Sequence, residues 1–131
     1  MTSSKSKLNF PDAPTFASAL GQAVWLMTIS KEHRKLQIEE IEALVTPAVL
    51  LQQFKIYMKG KQPIAFLSWA SVSDDVKARL DTGNKRLELH EWRSGSNIAI
   101  VECVSPFASA EDIKRQFLDN MSRSKKNRGA R

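Results

Sequence analysis

Residues 53–69 read QFKIYMKGKQPIAFLSW, and the change of hydrophobic period inside them decides the fold class. Gln53 to Ile56 alternates polar and apolar side chains, Gly60 supplies a turn, and Ile64 to Trp69 is an apolar run, which together predict a β-hairpin. Before this stretch the period is helical. Pro14 to Thr28 carries Phe16, Leu20, Val24 and Met27 at helical spacing, Pro14 suits a first turn, and Ser30 is placed to cap the segment after it. Leu36 to Leu44 predicts a second helix, with Ile38, Ile41 and Leu44 interspersed with Glu39, Glu40 and Glu42, and Pro47 should end it or begin a new turn. After the hairpin, SDDVKARL (73–80) predicts a short helix whose Asp74 and Asp75 lie in the first turn, where the helix dipole favours them. Leu87–Trp92 and Ile98–Val104 predict two more strands joined by SGSN; Pro106 stops the second, and Ser109–Met121 closes the chain as a helix. The expected architecture is a single α+β domain with an antiparallel sheet of about four strands flanked by helices.

The composition fits one such domain and excludes several classes. A chain of 131 residues with 42% hydrophobic side chains buries about two-thirds of its unfolded surface, enough for a core without metals or crosslinks. The single cysteine, Cys103, excludes an intramolecular disulfide, and with no Cys/His cluster no structural zinc site is expected. No apolar run approaches the ~20 residues that span a bilayer, and residues 1–14 are too polar for a signal-peptide core, so a cytoplasmic protein is expected. The net charge of +6 sits at the ends: residues 13–121 hold 13 basic and 13 acidic side chains, whereas 122–131 hold five basic ones and no acid. Residues 1–13 and 122–131 are expected to be a disordered segment and a basic disordered tail around a domain at 14–121. The neutral domain disfavours a nucleic-acid partner. Neither GxGxxG nor GxxxxGK is present, which removes the main support for nucleotide binding.

Few residues can carry chemistry. Of two histidines, His90 alternates with apolar neighbours on an expected strand and should point to solvent or the rim of the sheet, while His33 lies in the charged segment SKEHRK, where it can serve as a surface or capping residue or reach a cleft. Glu102 interrupts the apolar run IAIVECV (98–104), and a buried carboxylate without a partner costs several kcal/mol. It either lies on the polar face of an edge strand, pairs with an arginine, or orients a histidine as in general-base pairs. If Glu102 faces a site, its neighbour Cys103 faces away, which argues for cysteine as a small core hydrophobe over a thiolate nucleophile.

The segments LGQAVWL (20–26), SKEHR (30–34), TPAV (46–49), QPIAFLSWA (62–70), EWRSG (91–95) and VECVSPF (101–107) together resemble the RTX toxin-activating lysine acyltransferases, over about residues 17–118. The most specific parts are Trp25 separated by seven residues from the His33-Arg34 pair, the run from Pro63 to Ala70 ending in SWA, and Glu102 followed by Val104 and Pro106-Phe107. The resemblance implies a GNAT-like fold and an acyl-carrier-protein thioester as acyl donor, with no metal and no other cofactor. It places the catalytic histidine on His33, the family's catalytic aspartate on Glu102, and an oxyanion or orienting serine on Ser30. It further implies an RTX protoxin lysine as acceptor and allows a homodimer. Trp25, Phe66, Trp69 and Trp92 are candidates to line an acyl groove, and Lys31, Arg34, Lys35 and Arg93 to dock an acidic carrier. Two departures stand out: Glu102 is one methylene longer than the usual aspartate, and typical members continue well past the equivalent of Phe117. A binding module that has lost catalysis is the alternative; a small nucleic-acid-binding protein is the weaker one.

Overall fold

The computed structural model describes residues 11–129; the expected disorder of residues 1–10 lies outside them. Helix α1 spans Ala13–Ile29; the Asp12 carboxylate accepts from the Thr15 N–H at 2.9 Å and Pro14 occupies the first turn. Its buried stripe is Ala19, Ala23, Leu26 and Met27, with Phe16 and Leu20 packed alongside. Helix α2 spans Ile38–Leu51 and starts from a reciprocal cap between Gln37 and Glu40. Pro47 does not end it. The helix continues four residues further, and the Ala43 carbonyl that a proline cannot serve belongs to an exposed residue. Gln52 closes the helix in the left-handed region at φ 58°.

The hairpin forms as expected, with β1 at Phe54–Lys59, a turn at Gly60 (φ +64°) and β2 at Gln62–Val72. Helix α3 (Asp74–Asp81) is capped by the Ser73 hydroxyl, and β3 (Asn97–Val104) pairs antiparallel with β2. The sheet therefore has three strands in the order β1-β2-β3. The expected strand at Leu87–Trp92 is a loop ending in a 3₁₀ turn, Leu89–Trp92. Glu91 causes this: its carboxylate accepts from the Glu88 N–H and from two Arg79 guanidinium nitrogens at 2.8 and 3.0 Å, which folds the segment onto α3. The Arg79 pairing and the Glu88 N–H hold the Glu91 carboxyl down at about 2. His90 is exposed on this turn rather than on a strand. Helix α4, expected to stop at Met121, runs from Ala110 to Gly129 and carries helical backbone into the basic segment.

Helices α1 and α2 cover one face of the sheet, where Phe66 and Val104 meet Ala23, Leu26, Met27, Val45 and Val49. On the other face Ile113 and Phe117 of α4 pack on Ala65, Leu67 and Cys103.

One glycine is held by close approach. The N–H groups of Ser94 and Gly95 both donate to the Ser71 carbonyl, and a Cβ on Gly95 would lie 2.5 Å from the Val72 carbonyl oxygen and 2.6 Å from Ser73 backbone atoms. Backbone cannot yield as a side chain does. Gly95→Ala is expected to cost about 1–3 kcal/mol, whereas Gly21→Ala, in open space on α1, should stabilise by about 0.5–1 kcal/mol. Urea midpoints of the two variants check the pair; equal midpoints would remove the close-approach argument.

Candidate active site

Ser30 organises the turn between α1 and α2. Its N–H closes α1 on the Leu26 and Met27 carbonyls, its own carbonyl accepts from the N–H groups of His33 and Arg34, and its Oγ lies 2.6 Å from His33 Nδ1. Three polar groups of one buried serine thus fix where the His33 ring can be. The ring's other nitrogen, Nε2, lies 3.0 Å from Glu102 Oε1, and both side chains are 10% exposed.

Glu102 reaches His33 because β3 is irregular. Opposite Ser68 and Trp69 the register jumps, Ser68 pairing with Glu102 and Trp69 with Ile100, so Val101 is an extra residue in the ladder. Before this bulge Ile98 and Ile100 face α4, and Ala99 and Val101 face α2; beyond it Cys103 faces α4 and Val104 faces α1. Strict alternation from Ile98 and Ile100 would have turned Glu102 toward α4, away from His33.

The buried carboxylate is well supplied with donors. Oε1 accepts from His33 Nε2 and from the Cys103 N–H at 3.0 Å, and Oε2 accepts from Lys85 Nζ at 3.2 Å. Burial pushes the Glu102 carboxyl upward, but His33, Lys85 and the Cys103 N–H together outweigh it and hold the group below its ordinary range. Glu102 is therefore ionised at neutral pH and can only accept. His33 Nε2 then carries the hydrogen, and in the neutral ring Nδ1 holds the lone pair and accepts from the Ser30 hydroxyl.

The pair opens on a cleft of about 590 Å³. Leu36, Ala43, Leu44 and Ala110 are its apolar lining; Glu32, Glu40, Lys85, Arg86, Glu111 and Lys114 are its charged rim. Sequence reasoning misses Lys85 and Arg86, because a lysine in the polar loop TGNK carries no signal of a partner 17 residues away.

The four aromatic candidates for an acyl groove do not line this cleft. Phe66 and Trp92 are fully buried, Phe66 between β2 and α1 and Trp92 in the cluster under α2 and α3. Trp69 packs on Phe117 at 5.0 Å between ring centroids, and Trp25 sits at the surface against Phe107 at 6.2 Å. Apolar character at strand and helix spacing was core character in three of the four. Among the basic candidates, Lys31, Arg34 and Lys35 are exposed around His33 on its turn. Arg93 is elsewhere and already engaged, its Nε donating to Gln53 Oε1 and its Nη2 to the Leu51 carbonyl, both at 2.6 Å. Cys103 packs with Ile113 and Phe117 and touches the cleft; burial raises its thiol above the ordinary range. Among the described residues no group of His, Cys, Asp and Glu is placed to hold a metal, and no helix is long and apolar enough to cross a membrane.

Comparison with known proteins bears on this geometry. The model of the RTX toxin acyltransferase family, HlyC, matches residues 13–131. The chain is 32% identical over 114 residues to an uncharacterized protein of Synechocystis, covering 86% of this chain and 78% of that one. It is 26% identical to the protein-lysine myristoyltransferase RtxC of Kingella kingae, covering 82% of this chain, and 33% identical to the lysine-acyltransferase RtxC of Vibrio cholerae, covering 72%. The matched region spans 66% of the Kingella protein and 62% of the Vibrio protein.

Proposed function

Because the chain belongs to the RTX toxin acyltransferase family, whose model its residues 13–131 match, we propose that it is a protein-lysine acyltransferase. In this reading it moves a fatty acyl group from an acyl-carrier-protein thioester to an internal lysine of an RTX protoxin, with His33 as general base oriented by Glu102. The observation that carries the reading is the 3.0 Å contact between His33 Nε2 and the ionised, buried Glu102 at the wall of an open cleft. The activities named for the Kingella and Vibrio relatives support the reaction class.

A lysine acceptor enters as an ammonium with an ordinary pKa of ~10.4 and must lose a proton before it can attack. His33 Nδ1 is the lone pair available to take it, once the acceptor's N–H replaces the Ser30 hydroxyl as donor. The amine then attacks the thioester carbonyl, the C–N bond forms as the C–S bond breaks, the imidazolium gives its proton to the departing thiolate, and the freed imidazole takes the second proton that the nitrogen sheds on becoming an amide and passes it to solvent. Glu102 keeps Nε2 protonated and stabilises the imidazolium through its charge. The acyl chain lies along Leu36, Ala43 and Leu44 of the cleft, and the exposed Lys31, Arg34 and Lys35 meet the acidic carrier.

The test is transfer of a labelled acyl group from acyl-carrier protein to a lysine peptide from an RTX protoxin. Transfer is expected to weaken between 0.1 and 1 M salt, where the Debye length falls from ~10 to ~3 Å. Cys103→Ser should keep most of the rate, because the thiol packs against α4. An acyl thioester trapped on Cys103, or loss of transfer in that variant, would replace direct attack by a covalent route. The 2.6 Å hydrogen bond from Ser30 to Nδ1 favours a second reading, in which Ser30 is the acylated nucleophile. Ser30→Ala separates the two: direct attack predicts a partial loss, on the order of 100-fold at most, through a less well held ring, while a seryl ester intermediate predicts no transfer.

A further inference from the structure

We propose that Lys85 is a positioning residue of this reaction, holding one carboxylate oxygen of Glu102 so that the other stays turned on His33. The inference rests on His33 acting as the base. A glutamate has one more rotatable bond than an aspartate and so more positions for its carboxylate to occupy, and a contact on a single oxygen leaves that carboxylate free to turn about its broad terminal torsion. Here both oxygens are held, Oε1 by His33 Nε2 and the Cys103 N–H, and Oε2 by Lys85 Nζ at 3.2 Å. The two anchors come from separate elements beside the edge strand β3: His33 from the turn between α1 and α2, Lys85 from the loop after α3. Lys85 is the only cation other than His33 whose ion pair with Glu102 is found among the described residues.

The ammonium also sets the charge of the pair. The other charged groups at the cleft are Glu32 on the turn, Glu40 on α2, Arg86 beside Lys85, and Glu111 and Lys114 on α4, where Lys114 is 3.8 Å from Glu111; the Cys103 thiol is the remaining titratable group. Removing Lys85 takes a cation away from a carboxylate that burial already disfavours. Glu102 should then protonate at higher pH. Because the active form needs Glu102 ionised and the base His33 neutral, and losing the ammonium favours an added proton on the pair, the acid limb of the rate profile should move up in pH.

The experiment measures transfer rate against pH for the parent, Lys85→Met and Lys85→Arg, and titrates the Glu102 carboxyl by ¹³C NMR in the same three proteins. The Lys85 side chain is 51% exposed, so solvent screening limits the effect. Lys85→Met is expected to shift both the limb and the carboxyl midpoint upward by about half a pH unit, about a threefold rate loss on the limb. The plateau should fall as well, because a carboxylate no longer held at Oε2 spends part of its time turned off His33, and Lys85→Arg should restore both the plateau and the parental midpoint. In ~1 M salt the difference should shrink. An unmoved carboxyl midpoint in Lys85→Met would overturn the proposal. So would an equal rate loss at every pH with the limb unmoved, which would make Lys85 a structural residue. A parent without transfer would refute the reading of His33 as base, on which the proposal rests, while the carboxyl titration would still report whether Lys85 holds Glu102.

Discussion

Glu102→Gln is expected to lower the acyl-transfer rate on the order of 100-fold or more, the usual scale of a general-base contribution. The substitution nearly preserves volume, so the hydrogen-bonded space between His33, Lys85 and the Cys103 N–H stays filled. What disappears is the negative charge. A neutral amide neither stabilises the imidazolium nor dictates which ring nitrogen carries the hydrogen, because its own NH₂ can donate to Nε2 and reverse the tautomer. His33→Ala should cost at least as much. The double variant should lose little beyond the worse single one, since residues acting as one unit are strongly non-additive. Glu102→Asp should retain activity or gain it if the shorter side chain still reaches Nε2. Circular dichroism establishes that each variant is folded. A folded Glu102→Gln protein working at the parental rate would make Glu102 a structural carboxylate and end the pair's assignment.

Trp92→Ala carries the other large expectation, in stability. Trp92 is fully buried among Ala48, Leu51, Val72, Val76 and Val101, where α2, α3 and the sheet meet. Truncating it should cost about 3–5 kcal/mol, a large part of the ~5–15 kcal/mol that holds a domain together. Trp92→Phe should cost within about 1.5 kcal/mol, since it keeps most of the packing. It also removes an indole N–H that has no acceptor among the described residues. Urea unfolding of both variants measures the difference. An alternative in which Trp92 lines the acyl groove predicts altered acyl-length preference at parental stability, and that outcome would return Trp92 to the substrate.

Much of the scaffold was legible in local signals. Proline in the first turn of α1, the apolar spacing of Phe16 and Leu20, the hairpin around Gly60 and the Ser73 cap with Asp74 and Asp75 all act within a few residues, and each element appeared where those signals placed it. Two local signals were outweighed. Pro47 reads as a stop, but the packing of Val45, Ala48, Val49 and Leu51 carries α2 past it. Leu87–Trp92 alternates like a strand, yet the bidentate Arg79–Glu91 pair and the burial of Trp92 fold it into a 3₁₀ turn. A competing ion pair twelve residues away in sequence is invisible to a period count.

The residue types of the site were readable from the chain itself: a histidine in a charged turn, a serine three residues before it, and a carboxylate in an apolar strand that needed a partner. Their meeting was not. His33 and Glu102 are 69 residues apart, and whether they share a face depends on the one extra residue, Val101, that the β3 ladder absorbs opposite Ser68. Side chains alternate with a period of two, so a single inserted residue moves every later one to the opposite face. Nothing in the run IAIVECV marks where that insertion falls, because both faces of β3 are covered and both accept apolar side chains. The sequence by itself determined which groups were available for chemistry, whereas only the packing of α1, α2 and the loop bearing Lys85 around that bulge decided that Glu102 would be charged, held at both oxygens and turned toward the imidazole.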